Sequence, residues 1–140
     1  MTKIRMLYIE NRGHFRRILE SRALEFNEGH DVEIEITCVT NNQDFYRRLL
    51  ENPSGYDIAV LHLSGDLPRI SEKFDTYDFA DRLRHNTGYA GKLVAESGAM
   101  REHTKEEILE HFDYFTDRLY SSDYLGVMLR DLGFLPPIED

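Results

Sequence analysis

The stretch that decides the fold is Tyr56–Pro68, "YDIAVLHLSGDLP". From Ile58 to Leu61 it is continuously apolar, which reads as a central strand of a parallel sheet covered by helices on both faces. The apolar run gives way at His62 to a polar segment, "SGDLPRISEKFDT" (residues 64–76). A histidine where a buried strand ends stands at the edge of the sheet where open α/β folds bind ligands.

Working outward, strand-like and helix-like segments alternate. "IRMLYIE" (Ile4 to Glu10) is a short apolar run, and "HFRRILESRALEF" after it spaces Phe15, Ile18, Leu19, Ala23 and Phe26 as one helix face. "NEGHD" ends that helix, with Gly29 as the expected cap. "VEIEITCVT" alternates, Val32, Ile34, Ile36 and Cys38 on one side and Glu33, Glu35 and Thr37 on the other, as a half-exposed edge strand does. Asn41 or Asn42 can cap the helix "QDFYRRLLEN", which stops at "PSG". Beyond the polar segment, "YDFADRLRHNTG" reads as a helix with Phe79, Ala80 and Leu83 inward. "GKLVAESGA" reads as a strand, "TKEEILEHF" as a helix, and "FDYFTDRL" as a strand in which most of the aromatic rings are core. "SSDYLGVMLRDLGF" reads as a helix capped by Ser121 or Ser122 and ended by Gly133.

Five strands alternating with five helices imply a parallel, doubly wound sheet. With an amphipathic second strand at the edge and an apolar third strand inside, the order 2-1-3-4-5 fits, a flavodoxin-like α/β arrangement over residues 1–140 as one domain. Ligands in such sheets sit outside the carboxyl ends of the strands. Those ends supply Glu10 and Asn11, His62, Glu96 and Ser97, and Thr116 and Asp117.

Composition narrows the function classes. The chain has 140 residues, 41% of them hydrophobic, with 8 Phe and 8 Tyr, enough for one sizeable core. A formal net charge of -9, from 26 acidic and 17 basic residues, repels nucleic acid and anionic membrane. The pairs Arg16, Arg17 and Arg47, Arg48 fall on helix-like segments and read as solvated faces. Cys38 is the single cysteine, so no internal disulfide forms, and its place in a strand favours burial over reactivity. No run approaches the roughly 18 apolar residues of a membrane span, and the N-terminus has no leader pattern, so the expected location is the cytoplasm. His85, His103 and His111 form no close ligand pairs and are expected at the surface. Gly13 reads as turn chemistry, and with no glycine-rich loop, nucleotide and flavin cofactors are not expected. Ser64 and Ser97 lack a nucleophile-elbow pattern, so no catalytic residue is assigned.

In segment order and turns, residues from about Lys3 to Phe134 resemble the receiver domain of response regulators, a CheY-like fold. "YDIAVLHLSGDLP" is similar to the strand that ends in the family's phosphorylated aspartate, followed by a proline turn. "DTYDFADRLR" looks like the helix after it, "KLVAESGA" like the strand ending in a hydroxyl residue, and "FDYFTDRL" like the strand that carries a lysine. The span from His62 to Asp75 is longer than that turn usually is.

The resemblance implies a degenerate phosphorylation pocket. The two acidic positions that hold Mg2+ in receivers are Glu10 and Asn11, so one carboxylate remains. The phosphoacceptor is replaced by His62, the hydroxyl position holds Ser97, the lysine position holds Asp117, and Tyr114 falls on the switch-like aromatic position. Arg118, next to Asp117, has the opposite strand parity. Aspartyl phosphotransfer needs a carboxylate nucleophile, a hard dication and a cation for the added charge. Each is altered, so the resemblance implies a pseudo-receiver that signals through protein contacts, as a homodimer or with other partners, without catalysis. For His62 the leading expectation is a salt link with Glu10 or Asp117. The alternative is a small flavodoxin-like metal-binding protein or enzyme, in which Glu10, His62 and Asp117, with Glu96, take Zn2+ or Mn2+. Phosphorylation of His62 is a third reading.

Overall fold

In a computed structural model, the structure describes residues 2–10, 13–62, 72–96, 105–117 and 123–136, with His62 and residues 72–76 described by backbone alone. The elements follow one another as β1 (Thr2–Ile9), α1 (Gly13–Gly29), β2 (Val32–Val39), α2 (Asn42–Glu51), β3 (Ile58–His62), α3 (Glu72–Thr87), β4 (Lys92–Glu96), α4 (Lys105–Leu109), β5 (Tyr114–Thr116) and α5 (Tyr124–Asp131). All neighbouring strands pair in parallel, in the order β2-β1-β3-β4-β5 expected from the sequence.

The strand patterns explain that order. In β3, Ile58, Ala59, Val60 and Leu61 are all buried, because helices cover both faces. β2 is the edge: Ile34 and Val39 are buried, whereas Glu35 is exposed and pairs with Lys3 of β1 at 3.2 Å. Strand alternation then divides the core in two. Leu7, Ile9, Ala59, Leu61, Leu93 and Ala95 face α2, α3 and α4, where Phe45, Leu49, Ala80, Leu83, Ile108 and Phe112 meet them. Met6, Tyr8, Ile58, Val60 and Val94 face α1 and α5, where Leu19, Phe26, Leu125, Met128 and Leu129 pack.

Local chemistry sets several boundaries. The Asn41 side chain accepts the Asp44 N–H at 2.8 Å and caps α2. Gly133, at φ 89°, ends α5: its N–H donates to Arg130 O, and the Phe134 N–H donates to Leu129 O at 2.8 Å. That six-to-one bond is a Schellman closure, which requires the left-handed conformation glycine adopts at little cost. Gly29 plays no such part. It is the last residue of α1 and is not left-handed.

Other expectations are corrected. Helix α3 starts at Glu72, five residues before the apolar spacing shows it, so part of the segment 64–76 is helical. α4 is a single short helix of 5 residues, and β5 has 3, shorter than their apolar runs suggest. Gly13 opens α1 instead of forming a turn. Ser64, His103, Ser121, Ser122 and the remainder of the 64–76 segment lie outside the described residues. Among the described residues, no helix is long and apolar enough to cross a membrane.

Candidate functional site

The carboxyl edge of the sheet is built by register. In β3 and β4 the Cα partner of His62 is Glu96, and in β4 and β5 the partner of Glu96 is Thr116. Tyr8 pairs with Val60, so two residues further on Glu10 stands level with His62. The Glu10 N–H donates to Val39 O at 2.9 Å and extends the β1–β2 ladder by one rung. Glu10, His62, Glu96 and Thr116 thus form one row across four strands, with the His62 backbone between the two glutamates. With strands about 4.8 Å apart, the two glutamate backbones are separated by about 10 Å.

This row is polar yet buried: Glu10 is 3% exposed, Glu96 4% and Thr116 1%. Two carboxyls removed from water are costly unless each is hydrogen-bonded or paired. Both glutamates engage other groups in the fold. Asp117 lies one residue past the row and is exposed. The structure therefore brings Glu10, the His62 backbone, Glu96 and Thr116 together and leaves Asp117 at their margin. Asn11, Ser97 and Arg118, and the side chain of His62, lie outside the described residues. Among the described residues no three His, Cys, Asp or Glu side chains gather as metal ligands.

Cys38 flanks the row from β2, its Sγ 3.8 Å from the Glu10 carbonyl. Burial pushes its thiol up to about 11, outweighing the lowering by Arg16. A thiol held protonated is a poor nucleophile, in keeping with its strand position.

Tyr114 opens β5 on the α5 side. Its hydroxyl donates to Asp131 Oδ2 at 2.7 Å and lies 3.2 Å from the Tyr124 hydroxyl. Since the Tyr114 proton is directed at Asp131, Tyr124 is the donor in the second bond. Burial and these hydrogen bonds push the Tyr114 phenol well up, so it stays protonated. Tyr114 is thus tied to α5.

Sequence reasoning misplaced one histidine. His111 is no free surface residue: its Nδ1 is 2.9 Å from Asp81 Oδ1, and its ring stacks on Tyr77 with centroids 4.5 Å apart. No sequence motif marks that pair, because Tyr77 and Asp81 are on α3 and His111 follows α4. A second unmarked network fixes β5. The Asp113 carboxylate accepts the Leu93 N–H at 2.8 Å and binds Arg84, which also donates to Gly91 O at 2.7 Å. The arginine pairs behave as expected of solvated faces, with Arg16–Glu20 at 3.6 Å and Arg47–Asp44 at 3.3 Å.

Solved structures share this fold. One is a response regulator receiver domain protein from Clostridium thermocellum, with a TM-score of 0.63 and 13% identity over 92% of this chain and 93% of that one. The fold is that of a receiver domain. A bacteriophytochrome response regulator matches with a TM-score of 0.64 and 14% identity over 100% of this chain and 83% of the other. A putative lipoprotein fragment from Peptoclostridium difficile matches more loosely, with a TM-score of 0.52 and 8% identity over 93% and 98%. No protein-family model and no curated protein matches the sequence.

Proposed function

We propose that this chain is a receiver-like signalling module that acts in the cytoplasm through protein contacts, without aspartyl phosphorylation and without catalysis. The observation that carries the reading is the chemistry of the carboxyl edge. Where an active receiver resembling it has an aspartate flanked by a dication and a lysine, this chain has His62 between buried Glu10 and Glu96, with Asp117 at the margin. Two like unit charges about 4 Å apart repel by roughly 4 kcal/mol at an effective dielectric of 20. The position of the lysine holds Asp117, whose charge adds to the repulsion instead of offsetting it.

Among the described residues, large apolar side chains stand exposed on four helices: Leu24 of α1 at 65%, Leu50 of α2 at 51%, Leu109 of α4 at 42% and Val127 of α5 at 36%, the last two on the helices either side of β5 in the chain. Large apolar side chains left in water suit a partner or a second copy of the chain.

Two measurements test this. Incubation with acetyl phosphate and Mg2+ is expected to leave the intact mass unchanged. Sedimentation velocity is expected to show a dimer that survives His62→Ala and dissociates when Leu109→Glu and Val127→Glu are combined. A stoichiometric phosphoryl adduct refutes the phosphorylation-independent reading. A dimer lost in folded His62→Ala refutes the outer-face reading, and a Tm increase with Zn2+ or Mn2+ that disappears in that variant favours the metal-binding alternative.

A further inference from the structure

A cavity of about 370 Å³ lies between α1 and α5, lined by Glu25, Phe26, His30, Asp123, Gly126 and Arg130. Its floor is buried Phe26 and Gly126, and its rim is exposed Glu25, His30 and Asp123, with half-buried Arg130 between them. That size is at the lower end of ordinary small-molecule pockets, and a buried aromatic floor beneath a few polar groups is their usual composition.

Three features point to a ligand. Gly126 sits inside α5, where glycine is disfavoured relative to alanine. A Cβ there would lie 3.4 Å from Arg130 Nη1 and 3.5 Å from Phe26 Cε2, so the missing methyl leaves the floor open beside the guanidinium. The Arg130 guanidinium lies back over that glycine and, among the described residues, has no ion pair and no hydrogen bond. His30 stacks on Phe26 with centroids 3.9 Å apart and planes 11° from parallel. Its Nδ1–H donates to the Phe26 carbonyl at 3.0 Å, which fixes the ring. The pair forms a rigid aromatic wall. Glu25 is already engaged by Arg22 at 3.4 Å, but it and Asp123 keep negative charge on the rim.

We propose that this cavity binds a small planar monocarboxylate, its carboxylate paired with the Arg130 guanidinium and its ring against the Phe26–His30 stack. Guanidinium and carboxylate match as a two-point, charge-assisted pair. A phosphate or a dicarboxylate brings a second negative charge toward Glu25 and Asp123, so one negative charge is favoured.

The test is a titration of the full chain followed by amide resonances, with benzoate as the probe and benzylamine and inorganic phosphate in parallel. Benzoate is expected to bind in the millimolar range and to move the Gly126, His30 and Arg130 signals, with weaker effects from the other two. Arg130→Gln is expected to weaken benzoate at least tenfold. Gly126→Ala is expected to weaken it severalfold while raising Tm, since alanine suits the helix and its methyl occupies the floor. Benzoate binding unchanged in Arg130→Gln, phosphate or benzylamine binding as tightly, or no movement of these signals overturns the proposal.

Discussion

Replacing Tyr114 by Phe removes one hydroxyl from the joint between β5 and α5 and leaves the ring in its packing against the α1–α5 core. The lost bond is a 2.7 Å donation to Asp131, with a second contact of 3.2 Å to Tyr124. A hydrogen bond to a charged acceptor contributes about 1.5–3 kcal/mol when buried. Asp131 is exposed, so solvent screens its charge and a discounted loss of about 1 kcal/mol is expected. For a chain of this size that corresponds to a fall in Tm of roughly 3 °C. Asp131→Asn keeps an acceptor and is expected to lose about half as much. Urea unfolding of Tyr114→Phe, Asp131→Ala and the double variant gives the coupling directly, expected at about 1 kcal/mol. Additivity within about 0.3 kcal/mol means that the hydroxyl does not tie the strand to the helix, and the account of Tyr114 as a tethered aromatic is refuted.

Three further outcomes follow from the same networks. Burial, then Glu107 and Glu110, pushes Tyr77 up to about 12, and burial also raises Tyr89 and Tyr114. The folded state thus holds these protons longer than the unfolded chain, so their stability contribution is complete below about pH 10 and falls as pH rises beyond it. An absorbance titration in which all 8 tyrosines ionise together near pH 10, with the fold intact, contradicts this. Asp113→Ala leaves the buried Leu93 N–H without its acceptor and is expected to cost about 2 kcal/mol in urea unfolding. A loss below about 0.5 kcal/mol refutes that role. Half-buried Cys38, its thiol pushed up to about 11, is expected to react with a thiol reagent at pH 8 more slowly than in an unfolded control, and labelling at the control's rate counts against that suppression.

The sheet was legible because its strands carry their burial in their patterns: unbroken in β3, alternating in β2. The boundaries of α3, α4 and β5 were less legible. Residues 72–76 show no apolar periodicity, and the ends of short elements depend on tertiary contacts such as Asp113 with Arg84 and Leu93. For the site, strand ends pointed to Glu10, His62 and Glu96, but only the three-dimensional packing shows that Glu10 and Glu96 stand level with the His62 backbone and are buried. The Tyr77–His111–Asp81 cluster and the Tyr114–Asp131 bond join residues far apart in the chain, so spacing alone gave no sign of them.

The central claim is that the carboxyl edge no longer accepts a phosphoryl group. The most direct measurement is the Tm of the full chain with Mg2+ and beryllium fluoride, which mimics an aspartyl phosphate, against Mg2+ alone. A ligand that binds the native state at a hundredfold excess over its Kd adds about 2.7 kcal/mol and raises the midpoint by several degrees. The account predicts no shift beyond about 1 °C at millimolar beryllium fluoride, and a rise of several degrees that requires Mg2+ contradicts it.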